Sequence, residues 1–385
     1  MKPELIKFIK LILYSSMGFI CFSLSFTSVR DLVGGRLLEG VFFLDMLAIA
    51  GLLIHTQKIK IDLSFAPFFF IICIVGPLTL LNFFQDFPGS NLATLFALIL
   101  ASGTGYVIAQ SSKQSMIYCA YGISLASLIV IAPLISSGFT FSEFVRFSAF
   151  SDNPNQLALY ALSAMTLIAL FLNHKIFKII FLSIFILLGS TALSDAFFLS
   201  IIIGIFSFIF AMAVFSKNFL VLGIPFLIVS IILFLMWMSM LYDFSLLTFF
   251  LEFWTTADQG GTRFNLYLNG MEALSYSPLL GHGAGAFSGA NIPFSKFEAH
   301  NTFIDFATMG GLFLPLIFYA PLILGYLYLI KQNPLASAVL AALIVFTLFH
   351  FTGRHPIVWV VWGSCVHIWS SKGKNMFLKN INSIS

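Results

Sequence analysis

Apolar runs of about 20 residues, separated by short polar stretches, recur along the whole chain. A helix crossing the hydrocarbon core needs about that length. The pattern predicts twelve spans, near 8–28, 38–56, 64–82, 91–110, 115–135, 154–172, 176–190, 196–216, 218–241, 302–330, 335–351 and 356–370. The run that follows Asn301 is long for one crossing and contains Gly310-Gly311. It predicts a tilted or broken helix whose first turns lie outside the lipid. The run at 176–190 is short, and a re-entrant segment there would invert everything after it. Segments between the runs are unequal. Residues 83–90 form a short turn with Pro88-Gly89, residues 136–153 are longer, and residues 242–300 make one segment of about 60 residues. That segment holds Trp254, Tyr267, Tyr276 and several phenylalanines. It is too aromatic for a disordered linker and is expected to fold against the membrane surface. The expected fold class is an all-α polytopic membrane protein of about twelve transmembrane helices. Residues 1–385 form one domain, with one large outer loop between the ninth and tenth spans.

Composition strengthens that expectation. Of 385 residues, 59% are hydrophobic and 9% charged, with mean hydropathy +1.01; a soluble domain carries roughly 25% charged residues. No large soluble domain fits beside the spans. The formal charge of +4 is modest and sits in loops, so no nucleic-acid partner is expected. Cys21, Cys73, Cys119 and Cys365 lie in separate apolar runs and read as small hydrophobes. Lys2, Lys7 and Lys10 precede the first span, and no small-x-small cleavage pattern follows it, so the span is read as an anchor.

Charge then sets the orientation. With the N-terminus inside, thirteen of fourteen lysines fall in cytoplasmic segments, Lys296 being the exception. Lys217, Lys331 and the C-terminal lysines stay inside only if both short spans cross. All five arginines (Arg30, Arg36, Arg146, Arg263 and Arg354) then face outward, where positive charge is normally depleted. Guanidinium groups suit bidentate phosphate binding and keep their charge. An anionic ligand approached from the outer face is the first expectation.

The long outer loop holds three features. Gly261-Thr262-Arg263 opens a segment to Ser277 in which Phe264, Tyr267, Leu268, Met271 and Leu274 recur at helical spacing, with Pro278 beyond its end. Thr262 would cap that helix. Arg263 would then sit in its first turn against the dipole, which a nearby anion would offset; lipid phosphates at the interface are the plainer alternative. Next comes Gly281-His282-Gly283-Ala284-Gly285. It has no preceding strand, so a nucleotide fold is not expected. Gly281, Gly283 and Gly285 are read as allowing tight turns and close approach of backbone to a ligand, with His282 at the surface. Third, Glu298-Ala299-His300-Asn301 enters the broken helix that carries Asp305. His300 can serve as a general base near neutral pH, oriented by Glu298, or can simply hydrogen-bond a carbonyl at the interface. Elsewhere, Arg146 precedes an ordinary helix start at Asn153-Pro154, and Arg354 stands in Gly353-Arg354-His355-Pro356. Outer carboxylates are scattered, without the paired acidic motif of Mg²⁺-dependent transferases, so no metal and no cofactor is expected.

Arg263, Ser277-Pro278, the Gly281, Gly283, Gly285 triplet, His300-Asn301 and Gly310-Gly311, in that order, resemble the O-antigen ligase/polymerase family of bacterial membrane glycosyltransferases. The Arg146 to Asn155 stretch is similar to a family feature as well. The match covers roughly 146–155 and 263–311; the other helices agree in number and hydropathy only. The resemblance implies metal-independent, inverting transfer of a glycan from undecaprenyl diphosphate to a hydroxyl on lipid A-core or a similar acceptor. The site would lie at the periplasmic face of the inner membrane, within loop 242–301, with both termini cytoplasmic. His300 would be the base. Arg263, Arg146 and Arg354 would hold the diphosphate, with Asn301, Glu298 and the glycines in support. Its partners would be a lipid-linked oligosaccharide donor, a glycan or lipid A-core acceptor, and membrane lipids. One departure stands out: Ser194-Asp195 replaces the Ser-Arg pair of many ligases. That leaves room for a polymerase joining lipid-linked repeat units. A transporter or flippase is the rival of a different class, and the concentration of charge at one face speaks against it.

Overall fold

The computed structural model describes residues 3–23, 35–56, 61–136, 153–215, 260–290 and 296–382. Within them the chain is built of helices with one isolated β-bridge, between Ser90 and Gly285. The helices, in chain order, are α1 (Pro3–Ser23), α2 (Gly35–His55), α3 (Ala66–Phe84), α4 (Leu92–Ala109), α5 (Lys113–Ser136), α6 (Pro154–Phe171) and α7 (Lys175–Thr191). They continue with α8 (Asp195–Phe215), α9 (Gly260–Tyr276), α10 (Thr302–Gly310), α11 (Phe313–Gln332), α12 (Pro334–Thr347) and α13 (Pro356–Asn382).

Among the described residues, seven helices are long and apolar enough to cross a membrane: α1, α3, α4, α5, α6, α8 and α11. The expected all-helical character with several membrane-length helices is present, while the expected count of twelve is not shown among the described residues. The expected span at 218–241 lies outside the described residues. Helix α7 has 17 residues, and α12 has 14, a length of about 21 Å against roughly 30 Å of hydrocarbon. The expected run at 335–351 is shortened because residues 348–355 leave the helix and fold into a polar turn.

Local chemistry sets several boundaries. Asn153, Asn301 and Asn333 each start a helix by accepting backbone N–H bonds with the side-chain oxygen. Pro154 and Pro334 occupy the first helical turn, where their missing N–H costs nothing. The long run after Asn301 breaks where the two glycines predicted, with Gly311 at φ +63° between α10 and α11. Helix α3 carries a π turn at Ile71–Val75.

Packing is closest between α1 and α5, α8 and α12, α4 and α13, and α6 and α7. Helix α13 supplies the largest fully buried side chains, Trp359 and Trp362. Their indole N–H groups donate to the carbonyls of Gly353 (2.6 Å) and Phe318 (3.0 Å), so burial leaves no orphaned donor. Phe306, Phe318 and Trp359 meet in edge-to-face and tilted pairs and join α10, α11 and α13. That aromatic joint holds the short α10 in place beneath the polar turn.

Candidate functional site

One small cleft, open to solvent, gathers residues distant in sequence. The first turns of α6 contribute Asn153, Asn155 and Gln156; the segment before α10 contributes Glu298 and His300; the α12–α13 turn contributes His350, Arg354 and His355. Helices α6, α10 and α13 all begin at or beside this cleft. A helix N-terminus carries the positive end of its dipole, so three of them together favour an anion, although Asn153 and Asn301 already cap N–H groups of α6 and α10.

The segment 296–301 is shaped from below by Asp305, which is buried (1% exposed) one turn into α10. Its Oδ1 accepts the Ala299 N–H at 2.7 Å and its Oδ2 accepts the Asn301 N–H at 3.1 Å. His300, between those two amides, adopts φ +54°. Burial raises the Asp305 carboxyl to about 8, with the Glu298 charge acting the same way and the two amide bonds opposing it. Asn301, expected only as a supporting residue, caps α10 by accepting from Phe303 N and Ile304 N at 3.0 and 3.2 Å.

His300 stands exposed at the rim. Partial loss of water around its ring lowers its pKa from the usual 6.5; Glu298 raises it, and Arg263 and Arg354 lower it further. The net shift favours the neutral ring, the form a proton acceptor needs. Those effects also place Arg263, half-buried in the first turn of α9, within electrostatic reach of His300. Helix α9 begins at Gly260, so Thr262 lies inside the helix and not at its expected cap. Glu298 was expected to orient His300; instead it forms an ion pair with Arg354, accepting from Nη1. Arg354 also lies over the Phe351 ring, 5.7 Å from its centroid.

The α12–α13 turn is pinned by Thr302. Its Oγ1 donates to His350 O (2.7 Å) and accepts from Thr352 N (2.8 Å), so α10 carries both the His300 segment and the Arg354 turn. Beyond the turn, the Tyr160 hydroxyl of α6 and His355 Nδ1 are 2.7 Å apart. Burial, with Arg354 and His350 nearby, lowers the His355 ring to about 3. The sequence reading missed this pair and the placement of Gln156 and His350. The available signal was two histidines and an arginine between 350 and 355, at the mouth of a span.

The glycine triplet is elsewhere. Gly281 and Gly283 have φ of +70° and +82°. His282 N and Gly283 N donate to Thr308 O and Met309 O (2.8 and 2.9 Å), at the far end of α10 from His300. Ala284 N donates to Thr79 Oγ1 (2.6 Å), and Asn91 N to Ala284 O (2.9 Å). The close approach these glycines permit is of backbone to backbone, clamping α10 to the turn after α3; the expected approach to a ligand is replaced by scaffolding. His282, expected at the surface, is half-buried: its Nε2 is 2.7 Å from Ala273 O and its ring stacks on Phe87.

Arg146 lies outside the described residues, and so does the 242–259 part of the expected catalytic loop. Among the described residues, no group of three or more His, Cys, Asp or Glu side chains is gathered to hold a metal ion. No protein-family model matches this chain, and no curated protein matches it.

Proposed function

We propose that this protein transfers a glycan from a polyprenyl diphosphate donor to a hydroxyl acceptor in the cleft around His300, at the outer face of the bacterial inner membrane. The observation that carries the reading is the gathering of the starts of α6, α10 and α13 and of Arg354 around His300, with Arg263 within electrostatic reach of the ring. His300 takes the acceptor's hydroxyl proton as that oxygen bonds to the anomeric carbon. The carbon–oxygen bond to the diphosphate breaks on the opposite face, inverting the centre and releasing polyprenyl diphosphate. Arg263 and Arg354, with the helix dipoles, receive the charge that builds on the leaving group. One such preorganised contact is typically worth about 3–4 kcal/mol in the transition state. The same geometry serves a ligase, our first reading, or a polymerase, in which the acceptor is another lipid-linked repeat unit.

The test is transfer by purified protein from a synthetic lipid-linked donor. Activity lost in His300→Ala and Arg263→Ala and insensitive to chelator supports the reading, whereas full activity in His300→Ala ends the assignment of the base. Gene disruption separates the two acceptors: full-length lipid-linked polymer accumulates without a ligase, single repeat units without a polymerase.

A further inference from the structure

His300 occupies a left-handed backbone conformation that only a few per cent of non-glycine residues adopt, at a cost of about 1–2 kcal/mol. Something must hold it there. The amide before it and the amide after it both donate to one buried carboxyl group, Ala299 N to Oδ1 and Asn301 N to Oδ2 of Asp305. A single rigid group thus grips the chain on both sides of the imidazole. The carboxyl group is itself fixed, being fully packed in α10, whose far end is clamped by the His282 and Gly283 amides. A helix cap alone would not need this arrangement, because Asn301 already takes the N–H groups of Phe303 and Ile304.

We propose that Asp305 is the positioning residue of the transfer reaction, setting the left-handed turn that aims His300 into the cleft. The inference rests on the proposed function for its catalytic consequence, while the positioning itself is a statement about the loop. Two acceptor oxygens are required. In Asp305→Asn, one of them becomes an NH₂ group facing an N–H, so either Ala299 or Asn301 must move and carry His300 with it. A displacement of about 1 Å costs on the order of 10²-fold in rate.

The experiment compares Asp305→Asn with Thr308→Val, a matched control on the same buried helix that loses only the hydroxyl bond to Asp305 O. Two readouts are taken on folded protein: kcat and KM for a synthetic lipid-linked donor, and the rate at which diethyl pyrocarbonate acylates His300, followed by mass spectrometry. Asp305→Asn is expected to lower kcat by about 10²-fold with donor KM within roughly threefold, and to change the His300 acylation rate at least about threefold. Thr308→Val is expected to leave both near wild type. If Asp305→Asn does not fold, Asp305→Glu keeps the carboxyl group and shifts both oxygens by one methylene; folded Asp305→Glu with kcat at least about tenfold down supports positioning. Wild-type kcat and an unchanged acylation rate in a folded Asp305 variant overturn the proposal. Were wild-type protein to transfer no glycan, the proposed function would fail, and the acylation rate alone would decide the role of Asp305.

Discussion

Thr302→Val separates what holds the cleft together from what reacts in it. Thr302 is fully buried, and its hydroxyl makes three contacts: it donates to His350 O, accepts from Thr352 N, and lies 3.0 Å from Thr352 Oγ1. Valine keeps the shape and removes the oxygen. The Thr352 N–H and the His350 carbonyl then lose their partner, and Thr352 is itself fully buried. A buried polar group left unsatisfied costs about 1–3 kcal/mol. The Thr352 hydroxyl can rotate to recover part of one bond, so the expected loss is about 2–4 kcal/mol. Thr302→Ser retains every bond, loses one methyl group, and should cost about 1 kcal/mol. The assay is equilibrium unfolding in mixed detergent micelles, with both variants beside wild type. A Thr302→Val protein within about 0.5 kcal/mol of wild type would refute the reasoning. It would mean that the turn carrying Arg354 is held by something other than α10.

Four further outcomes are expected. In Glu298→Gln the charge that raises the His300 pKa is gone, so the acidic limb of the kcat/KM profile should move to lower pH; a shift upward, or none, contradicts the placement of Glu298 beside His300. His355, held neutral with a pKa of about 3 against 6.5 when unfolded, binds fewer protons folded than unfolded. Its contribution to stability is full above pH 6.5 and is lost as pH falls toward 3, by at most about 1.4 kcal/mol per unit; unfolding of His355→Gln across this range should show a shallower dependence. Gly283→Ala places a methyl group 2.6 Å from Thr79 N in a backbone of φ +82°, and should destabilise by at least about 2 kcal/mol. Gly51→Ala, with open space around it, should be neutral or stabilising in the same unfolding assay.

Hydropathy made the helical character legible because burial in lipid or in protein demands the same apolar runs. The helix starts at Asn153 and Asn301 were also legible, since an Asn side chain answers the unpaired N–H groups locally. So was the break at Gly310-Gly311, a matter of local backbone freedom. What could not be read were relations across long separations. Glu298 pairs with an arginine 56 residues away, and Tyr160 meets a histidine 195 residues away. Spacing along the chain carries no sign of either. The glycine triplet shows the same gap: its sequence announced a special backbone, and only the fold told that the neighbour is Thr79 and not a ligand. The end of α12 was misplaced because Leu348 and Phe349 prolong the hydropathic run although the chain has already turned.

Binding tests directly, without relying on turnover, whether this cleft receives a lipid diphosphate. Wild type, Arg263→Ala and Arg354→Ala would be reconstituted in nanodiscs and titrated with polyprenyl diphosphate and with the uncharged polyprenol. Preferential binding of the diphosphate, weakened about tenfold or more in each arginine variant, is the predicted result. Equal affinity of wild type for diphosphate and polyprenol, unchanged in both variants, would contradict it.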